Sequence, residues 1–167
     1  MKNLLFSISI FLLSFSVSAQ KALKSDALFS DQTPVEIKLG YSNKAMNKDT
    51  NDSTFIDTTM EFLHEGKWSS INVNLRARGN FRRNECYFPP IKMKIKKDQY
   101  QGTIFDGNKT MKLVLPCKNE KDKNDNIIKE FIAYKIYEII SPYYFKTRRL
   151  EIEFNDQGKK NKKTHTL

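Results

Sequence analysis

Apolar and polar residues alternate along several segments of this chain, and a period of two is the pattern of β-strands that are buried on one face only. The alternation holds in "VEIKLGY" from Val35, "INVNLRA" from Ile71, "IKMKIK" from Ile91, "MKLVL" from Met111 and "LEIEF" from Leu150. The turn-forming run Glu65-Gly66-Lys67 joins the second of these segments to a preceding strand as a hairpin. The sequence therefore predicts a sheet with one buried face and one polar face.

The period changes once, towards the C-terminal part of the sequence. From Asn126, "NIIKEFIAYKIYEIIS" has apolar residues at intervals of three and four, which predicts a helix. Ser141-Pro142 ends this helix, because proline disfavours helical geometry in the residue before it. The apolar stripe of the helix is wide enough to lie across a sheet. The predicted fold class is α+β, with a twisted, mainly antiparallel sheet of about five or six strands packed on one long helix.

The first residues, "MKNLLFSISIFLLSFSVSAQ", predict export. They combine Lys2, an apolar run and the small-residue pattern Val17-Ser18-Ala19, which together indicate a secretory signal peptide at 1–19, cleaved after Ala19. The alternative is an uncleaved anchor helix, but such a helix needs about 20 apolar residues, and this run is shorter and rich in serine. No later segment is long and apolar enough to span a bilayer. We therefore expect an exported protein of the periplasm, the cell envelope or the extracellular space.

The remaining sequence divides into a lead, one domain and a tail. Residues 20–33 are small, polar and unpatterned, which predicts a flexible lead, and 34–156 carry a single α+β domain. Within this domain, "SNKAMNKDTNDST" from Ser42 lacks apolar periodicity and predicts an exposed loop. "NDQG" from Asn155 is a hairpin turn signal followed by lysine-rich sequence. Residues 157–167 are therefore a basic tail or a truncated hairpin, and the pattern favours an incomplete copy of a longer protein.

The sequence contains two cysteines, Cys86 and Cys117. In an oxidising compartment they form a disulfide or remain as two buried free thiols, and both alternatives stay open at this point. A disulfide closing a loop of this length would stabilise the fold by about 3 to 4 kcal/mol in the chain-entropy treatment. A metal site is not predicted, because the sequence has no CxxC and neither His64 nor His165 lies at ligand spacing from a cysteine.

Positive charge is concentrated in "NLRARGNFRRNECYFPPIKMKIKK" from Asn74, which has four arginines within eight residues. A glycine at the end of a strand lets the backbone approach a ligand, and arginine forks suit phosphate oxygens. The candidate anion-binding or phosphate-binding residues are Arg78, Gly79, Asn80, Arg82, Arg83, Lys92 and Lys94. The alternative is that these charges only solvate the polar face of the sheet. The net charge of +10 also favours anionic partners, without choosing among them.

The order of these features resembles the N-terminal half of the CotH-like kinase family, typified by a spore-coat protein kinase with an atypical kinase fold. The resemblance covers roughly Val35 to Asp156 and rests on Arg78-Gly79-Asn80, Pro89-Pro90 before "IKMKIKK", "KLVL" from Lys112, "NIIKEFIAYKIYEII" and "RRLEIEFND". It implies that a full-length relative binds ATP and Mg²⁺ and phosphorylates hydroxyl side chains. It also implies that Arg78 and Lys92 or Lys94 lie on the phosphate side of the nucleotide.

The sequence also departs from that family. The acidic residues that hold the metal and activate the hydroxyl lie downstream of the hairpin in the family, and phosphoryl transfer requires such groups. The segment from Asn126 to Lys129 lacks the arginine that opens the family's helix. The resemblance therefore implies a kinase-related N-terminal fragment that is inactive alone, with no evident cofactor and no assigned catalytic residue.

Two functions of different class follow from the sequence. One is an exported, CotH-like, kinase-related domain whose basic residues contact nucleotide phosphate. The other is a non-enzymatic, basic, β-rich module of the cell envelope that binds an anionic polymer or another protein. The sequence has no GxSxG, no HExxH, no Walker-type glycine loop and no specific nucleic-acid motif.

Overall fold

The structure, a computed structural model, describes residues 24–118, 125–158 and 164–166, so the predicted signal peptide at 1–19 lies outside the described residues. The strands are β1 (Val35–Tyr41), β2 (Ile56–His64), β3 (Lys67–Ala77), β4 (Ile91–Ile95), β5 (Thr110–Leu113), β6 (Leu150–Asp156) and β7 (Thr164–Thr166). A 3₁₀ turn (Lys24–Asp26) leads into α1 (Ala27–Ser30), and the other helices are α2 (Asn43–Lys48), α3 (Phe81–Glu85), α4 (Lys97–Tyr100) and α5 (Asp125–Ile140).

The seven strands form one mixed sheet in the order β5-β4-β3-β2-β1-β6-β7. Neighbouring strands are antiparallel except for β1 and β6, which are parallel from Val35 opposite Leu150 to Tyr41 opposite Asp156. The predicted hairpin between β2 and β3 is confirmed, and Glu65 (φ 51°) and Gly66 (φ 74°) have the left-handed backbone of a two-residue hairpin turn. The parallel pair was not predicted, because alternation has the same form in parallel and antiparallel strands.

The sheet curls around its own core. The rings of Phe88, just before β4, and Phe154, on β6, lie 5.3 Å apart between centroids, although β3, β2 and β1 separate β4 from β6 in the sheet. Only a curled sheet brings these two places together. The inner face is filled by the alternate strand residues and by side chains from the connections, including Leu28, Met46, Phe88 and Phe105.

The long helix is present at α5, but its predicted packing on the sheet is wrong. No side chain from Asn126 to Ile140 is buried, and five isoleucines of this helix have between 49 % and 84 % of their surface exposed. The physical reason is that the curled sheet and its connections already fill the core, which leaves the helix no buried apolar face to cover. Within the described ranges, no helix combines the length and the apolarity needed to cross a bilayer.

The segment predicted as a flexible lead packs against the domain where the structure describes it. Leu28 of α1 belongs to the core. Arg148 donates hydrogen bonds to the carbonyl oxygens of Leu28 and Thr33, each at 2.8 Å, and to the Asp31 carboxylate at 2.8 Å. One arginine from the segment before β6 therefore links residues 28–33 to the domain.

The predicted exposed loop from Ser42 also contains structure. Its first part is the helix α2, which buries Met46. The Thr50 hydroxyl, also buried, donates to the Met46 carbonyl oxygen at 2.6 Å and accepts the Ala77 N–H at 3.0 Å. Thr50 thus joins the end of α2 to the end of β3, and a single apolar anchor in a polar segment was too little periodicity to predict it.

Cys86 and Cys117 form a disulfide, with 4.5 Å between their Cα atoms. Of the two alternatives that the sequence left open, the structure contains the bond. It joins the end of α3 to the segment that follows β5, and the Tyr87 N–H donates to the Cys117 carbonyl oxygen at 2.8 Å beside it. The connection between β3 and β4 is therefore fixed to the far side of β5.

Tyr41 supplies a prediction about alkaline pH. Burial, the nearby charge of Asp156 and the neighbouring Tyr87 raise the pKa of the Tyr41 phenol above its ordinary value. The native state therefore keeps this proton above pH about 10, where the unfolded chain loses it, and native stability falls as pH rises. The hydroxyl has no hydrogen-bond partner among the described residues, so Tyr41→Phe should leave stability at pH 7 unchanged or raise it by up to about 1 kcal/mol.

Urea unfolding of the wild type and of Tyr41→Phe at pH 7 and pH 11 measures this effect. We expect the variant to lose less stability than the wild type between the two pH values. Equal losses in the two proteins would contradict the assignment of the effect to Tyr41.

Candidate anion-binding surface

The polar face of the sheet is divided by charge. On β6, β1 and β2 it carries mainly acidic residues, namely Glu151, Glu153, Glu36, Glu61 and Asp57. On β3, β4 and β5 the charged residues that face the same side are Arg76, Lys92, Lys94 and Lys112. This separation comes from the strand order, because acidic and basic strands are each neighbours in the sheet.

The basic residues are aligned by the register of the three strands. Arg76 lies directly opposite Lys92, and Lys92 lies directly opposite Lys112, so three cations form one row across β3, β4 and β5. Lys94 belongs to the next row, between Asn74 and Thr110. Side chains directly opposite each other have Cβ atoms about 4.5–5.5 Å apart. We call these four residues, together with Arg78 just beyond the end of β3, the basic face: Arg76, Arg78, Lys92, Lys94 and Lys112.

Residues of the loop before β2 contact two members of the basic face, Arg76 and Lys94. The Asp52 carboxylate lies 2.6 Å from Nη1 of Arg76. The ring of Phe55 lies 4.2 Å from the Lys94 ammonium and 5.7 Å from the Arg76 guanidinium, both measured to the ring centroid. These contacts orient the two cations, and the Arg76 side chain is only 12 % exposed whereas Asp52 is 94 % exposed.

The other end of the row is more open. The Lys112 ammonium lies 5.2 Å from the centroid of Phe145, an exposed ring that follows α5. Lys92 stands between Arg76 and Lys112, and no described residue forms an ion pair or a ring contact with it. Lys92 is therefore the cation of this row that is best placed to meet a ligand.

The predicted residues at the end of β3 lie next to this row. The Arg78 N–H donates to the Pro90 carbonyl oxygen at 2.8 Å, which extends the pairing of β3 and β4 by one step. Because Ala77 is buried, the alternation places Arg78 on the polar face, and it is half-buried. Gly79 has φ 78°, the left-handed backbone that favours glycine, and no heavy atom lies within 4 Å of the position a Cβ would take. Asn80 precedes α3, and its side chain forms no capping hydrogen bond.

Arg82 and Arg83 lie outside the basic face and contact neighbouring segments of the chain instead. Arg82 donates to the Leu115 carbonyl oxygen at 2.9 Å and lies 3.6 Å from the Glu130 carboxylate. Arg83 donates to the carbonyl oxygens of Asn47 and Thr50. Both guanidinium groups satisfy backbone acceptors on neighbouring segments. They are structural links from α3 to the chain around it.

The structure thus places Lys92 and Lys94 on one side of the sheet, with Arg78 opposite Pro90 just beyond the end of β3, whereas Arg82 and Arg83 contact backbone elsewhere. It adds Arg76 and Lys112, which were not among the predicted site residues. Their alternation with buried neighbours was visible in the sequence, but their position opposite Lys92 depends on strand pairing, which the sequence does not state. No sequence pattern indicated that the rings of Phe55 and Phe145 would lie beside these cations.

Comparison with known proteins found no matching family model, no matching curated protein and no matching solved structure. The CotH-like resemblance therefore remains a proposal, and the arrangement of charges on the basic face is the main basis on which a function can be inferred.

Proposed function

We propose that the protein is a non-enzymatic, basic, β-rich module that binds an anionic polymer on the basic face. The observation that carries the proposal is the row Arg76, Lys92 and Lys112, in which like charges lie directly opposite each other. Like charges directly opposite each other destabilise a sheet, whereas favourable cross-strand pairs contribute roughly 0.2–1 kcal/mol. A bound polyanion would replace that repulsion with attraction. Binding therefore accounts for the row of like charges, whereas solvation of the polar face alone does not.

The shape of the surface also supports an extended ligand. Lys92 and Lys94 are two residues apart on β4, which separates their attachment points by about 6.6–6.8 Å along the strand. Cations from three adjacent strands extend the charged area across the sheet. Lysine ammonium groups are compact charges on flexible stems, so they can follow a chain of phosphates, sulfates or carboxylates without a rigid pocket.

A kinase-related domain is the second candidate. What supports it is the position of Arg78 opposite Pro90, two residues from Lys92 along the neighbouring strand, with an unobstructed glycine directly after Arg78. In this alternative the anion is the phosphate chain of ATP with Mg²⁺, as the CotH-like resemblance implies. Export, inferred from residues 1–19, belongs to both proposals.

The polyanion proposal predicts a specific effect of Lys92→Gln. We expect the purified protein to bind inorganic polyphosphate with an affinity that falls steeply as salt rises, because binding releases condensed counterions. Removing one contacting cation should reduce the slope of log K against log salt by about one. It should also raise the free energy of unfolding by a few tenths of a kcal/mol, up to roughly 1 kcal/mol, because the like-charged row is broken.

Titration of polyphosphate in low and moderate salt, together with urea unfolding, tests both effects. Lys67→Gln is the matched control, because it removes the same charge from an exposed position at the β2–β3 hairpin. Equal salt slopes for the two variants would contradict the proposal. Saturable binding of MgATP that depends on the adenine base, and that Lys92→Gln weakens, would favour the kinase-related candidate instead.

A further inference from the structure

The helix α5 turns its most apolar side towards solvent. Residues three and four apart lie on the same side of an α-helix. Between Asn126 and Ile140 six large apolar side chains are exposed, and their spacing places them within one half of the helix circumference: Ile128, Ile132, Ile136, Tyr137, Ile139 and Ile140. We call these six residues the apolar face of α5.

The half-buried side of α5 carries the glutamates of the helix. The Glu130 carboxylate lies 3.6 Å from the Arg82 guanidinium on α3. Glu138 accepts a hydrogen bond from the Lys135 ammonium at 2.9 Å. A surface helix normally has the reverse arrangement, with its apolar side towards the core and its charged residues in water. The inversion indicates that another molecule covers the apolar face of α5.

The apolar face of α5 is large for the surface of a protein. Each of its side chains exposes about half of its surface or more, and the values for Ile139 and Ile140 are 84 % and 71 %. Tyr143, which is 86 % exposed, is held beside the end of the helix, because its N–H donates to the Ser141 hydroxyl oxygen at 3.1 Å. The combined apolar area is on the order of several hundred Å², the size that marks an interaction site for a protein or a membrane.

A lysine within this face distinguishes between a membrane and a second copy of the chain. Lys129 is exposed, and the helical spacing places it on the same side as Ile132 and Ile136. In a dry interface between two copies its ammonium would lose its hydration, which is costly. At the surface of a bilayer the lysine stem can lie along the apolar layer while the ammonium reaches the lipid phosphates.

The charge of the whole chain favours the same occupant. The net charge of +10 repels a second copy and attracts an anionic lipid surface. The Lys112 ammonium of the basic face lies 5.2 Å from the ring centroid of Phe145, which follows α5. Positive charge is therefore present close to the end of the helix as well as within its apolar face.

We propose that the apolar face of α5 docks the protein on an anionic phospholipid bilayer, with the helix lying along the membrane surface. The isoleucines enter the boundary between headgroups and acyl chains, and Tyr137 and Tyr143 have the amphipathic rings that are typical of this depth. Lys129 meets lipid phosphate, whereas Glu130 and Glu138 stay on the side of the helix that faces away from the lipid. The inference does not depend on the polyanion site proposed above.

Co-sedimentation of the purified chain with lipid vesicles tests this inference. The vesicles are phosphatidylcholine alone, or phosphatidylcholine mixed equally with phosphatidylglycerol, which is anionic. We expect tighter binding to the anionic vesicles, and binding that weakens as salt rises. Ile139→Gln should lower the partition coefficient about tenfold, because most of the Ile139 side chain is free to enter the lipid. Lys129→Gln should lower it about fivefold on anionic vesicles and leave it unchanged on neutral ones.

Two control variants match these substitutions. Ile127→Gln makes the same replacement on the half-buried side of the same helix, and Lys67→Gln removes an exposed lysine at the β2–β3 hairpin. Neither control should change binding to vesicles. Residues 1–19 are also apolar, so every comparison is made between variants that share them.

The inference is overturned if anionic and neutral vesicles bind the chain equally, or if Ile139→Gln binds like Ile127→Gln. It is also overturned if sedimentation velocity without lipid shows a dimer that Ile139→Gln dissociates, since the face would then belong to a second copy. If Ile127→Gln does not fold, as judged by circular dichroism, the comparison of Lys129→Gln with Lys67→Gln decides alone. Ile139→Gln should bind polyphosphate like the wild type, so this inference and the polyanion proposal fail independently.

Discussion

We expect Phe88→Ala to lower the free energy of unfolding by about 3–5 kcal/mol, as is typical for deletion of a fully buried phenylalanine ring. Phe88 is completely buried, and its ring makes edge contacts with Tyr87 at 4.7 Å and with Phe154 at 5.3 Å between centroids. It lies where the two sides of the curled sheet meet. Neighbouring residues cannot easily fill the space, because Pro89 and Pro90 follow directly and are also buried.

Urea unfolding measures this loss, and Phe81→Ala is the control. Phe81 removes the same ring from a position that is 76 % exposed, seven residues earlier. Its replacement should change stability by no more than about 0.5 kcal/mol. Similar effects of the two substitutions would show that the sheet does not close at Phe88.

The second large effect concerns the disulfide. Replacing Cys86 and Cys117 together with alanine should lower the free energy of unfolding by about 2–5 kcal/mol. The bond spans 31 residues of sequence, and its loss frees the unfolded chain while the folded chain keeps its other contacts. Alanine is preferable to serine, because Cys86 is buried and a hydroxyl there would lack a partner.

The matched comparison is the wild type with its disulfide reduced. Reduced wild type and the double alanine variant should unfold at similar urea concentrations, both below the oxidised protein. If the oxidised and reduced proteins unfold together, the bond contributes nothing to stability and the expectation is wrong.

Most strands could be predicted from the sequence because their alternation is a local property. Val35, Ile91 and Ile152 are buried as the pattern requires. The parallel partnership of β1 and β6 could not be predicted, since it joins residues more than 100 positions apart and leaves no local mark. The position of α5 in the sequence could also be predicted, because its three- and four-residue period is a local property. Its exposure could not be predicted, because it depends on how completely other segments fill the core.

In the candidate site, too, some features could be predicted from the sequence and others could not. Gly79 was predicted because a glycine lets the backbone approach a ligand, and that role stays a prediction; its positive φ is a separate finding of the structure. The sequence alone does not distinguish an arginine that contacts a ligand from one that contacts backbone, and in the structure Arg82 and Arg83 donate to backbone carbonyl oxygens. Arg76 and Lys112 were missed because their positions opposite Lys92 depend on strand pairing, which leaves no local signature in the sequence.

The exposed isoleucines of α5 and the positive net charge both make self-association of this protein sensitive to salt. The net charge of +10 keeps copies apart by mutual repulsion when salt is low. Added sulfate or phosphate screens that repulsion and strengthens apolar attraction between helices such as α5. We therefore expect the colloidal stability of the protein to decline as ionic strength rises, together with the polyanion binding proposed above, so that low salt favours both.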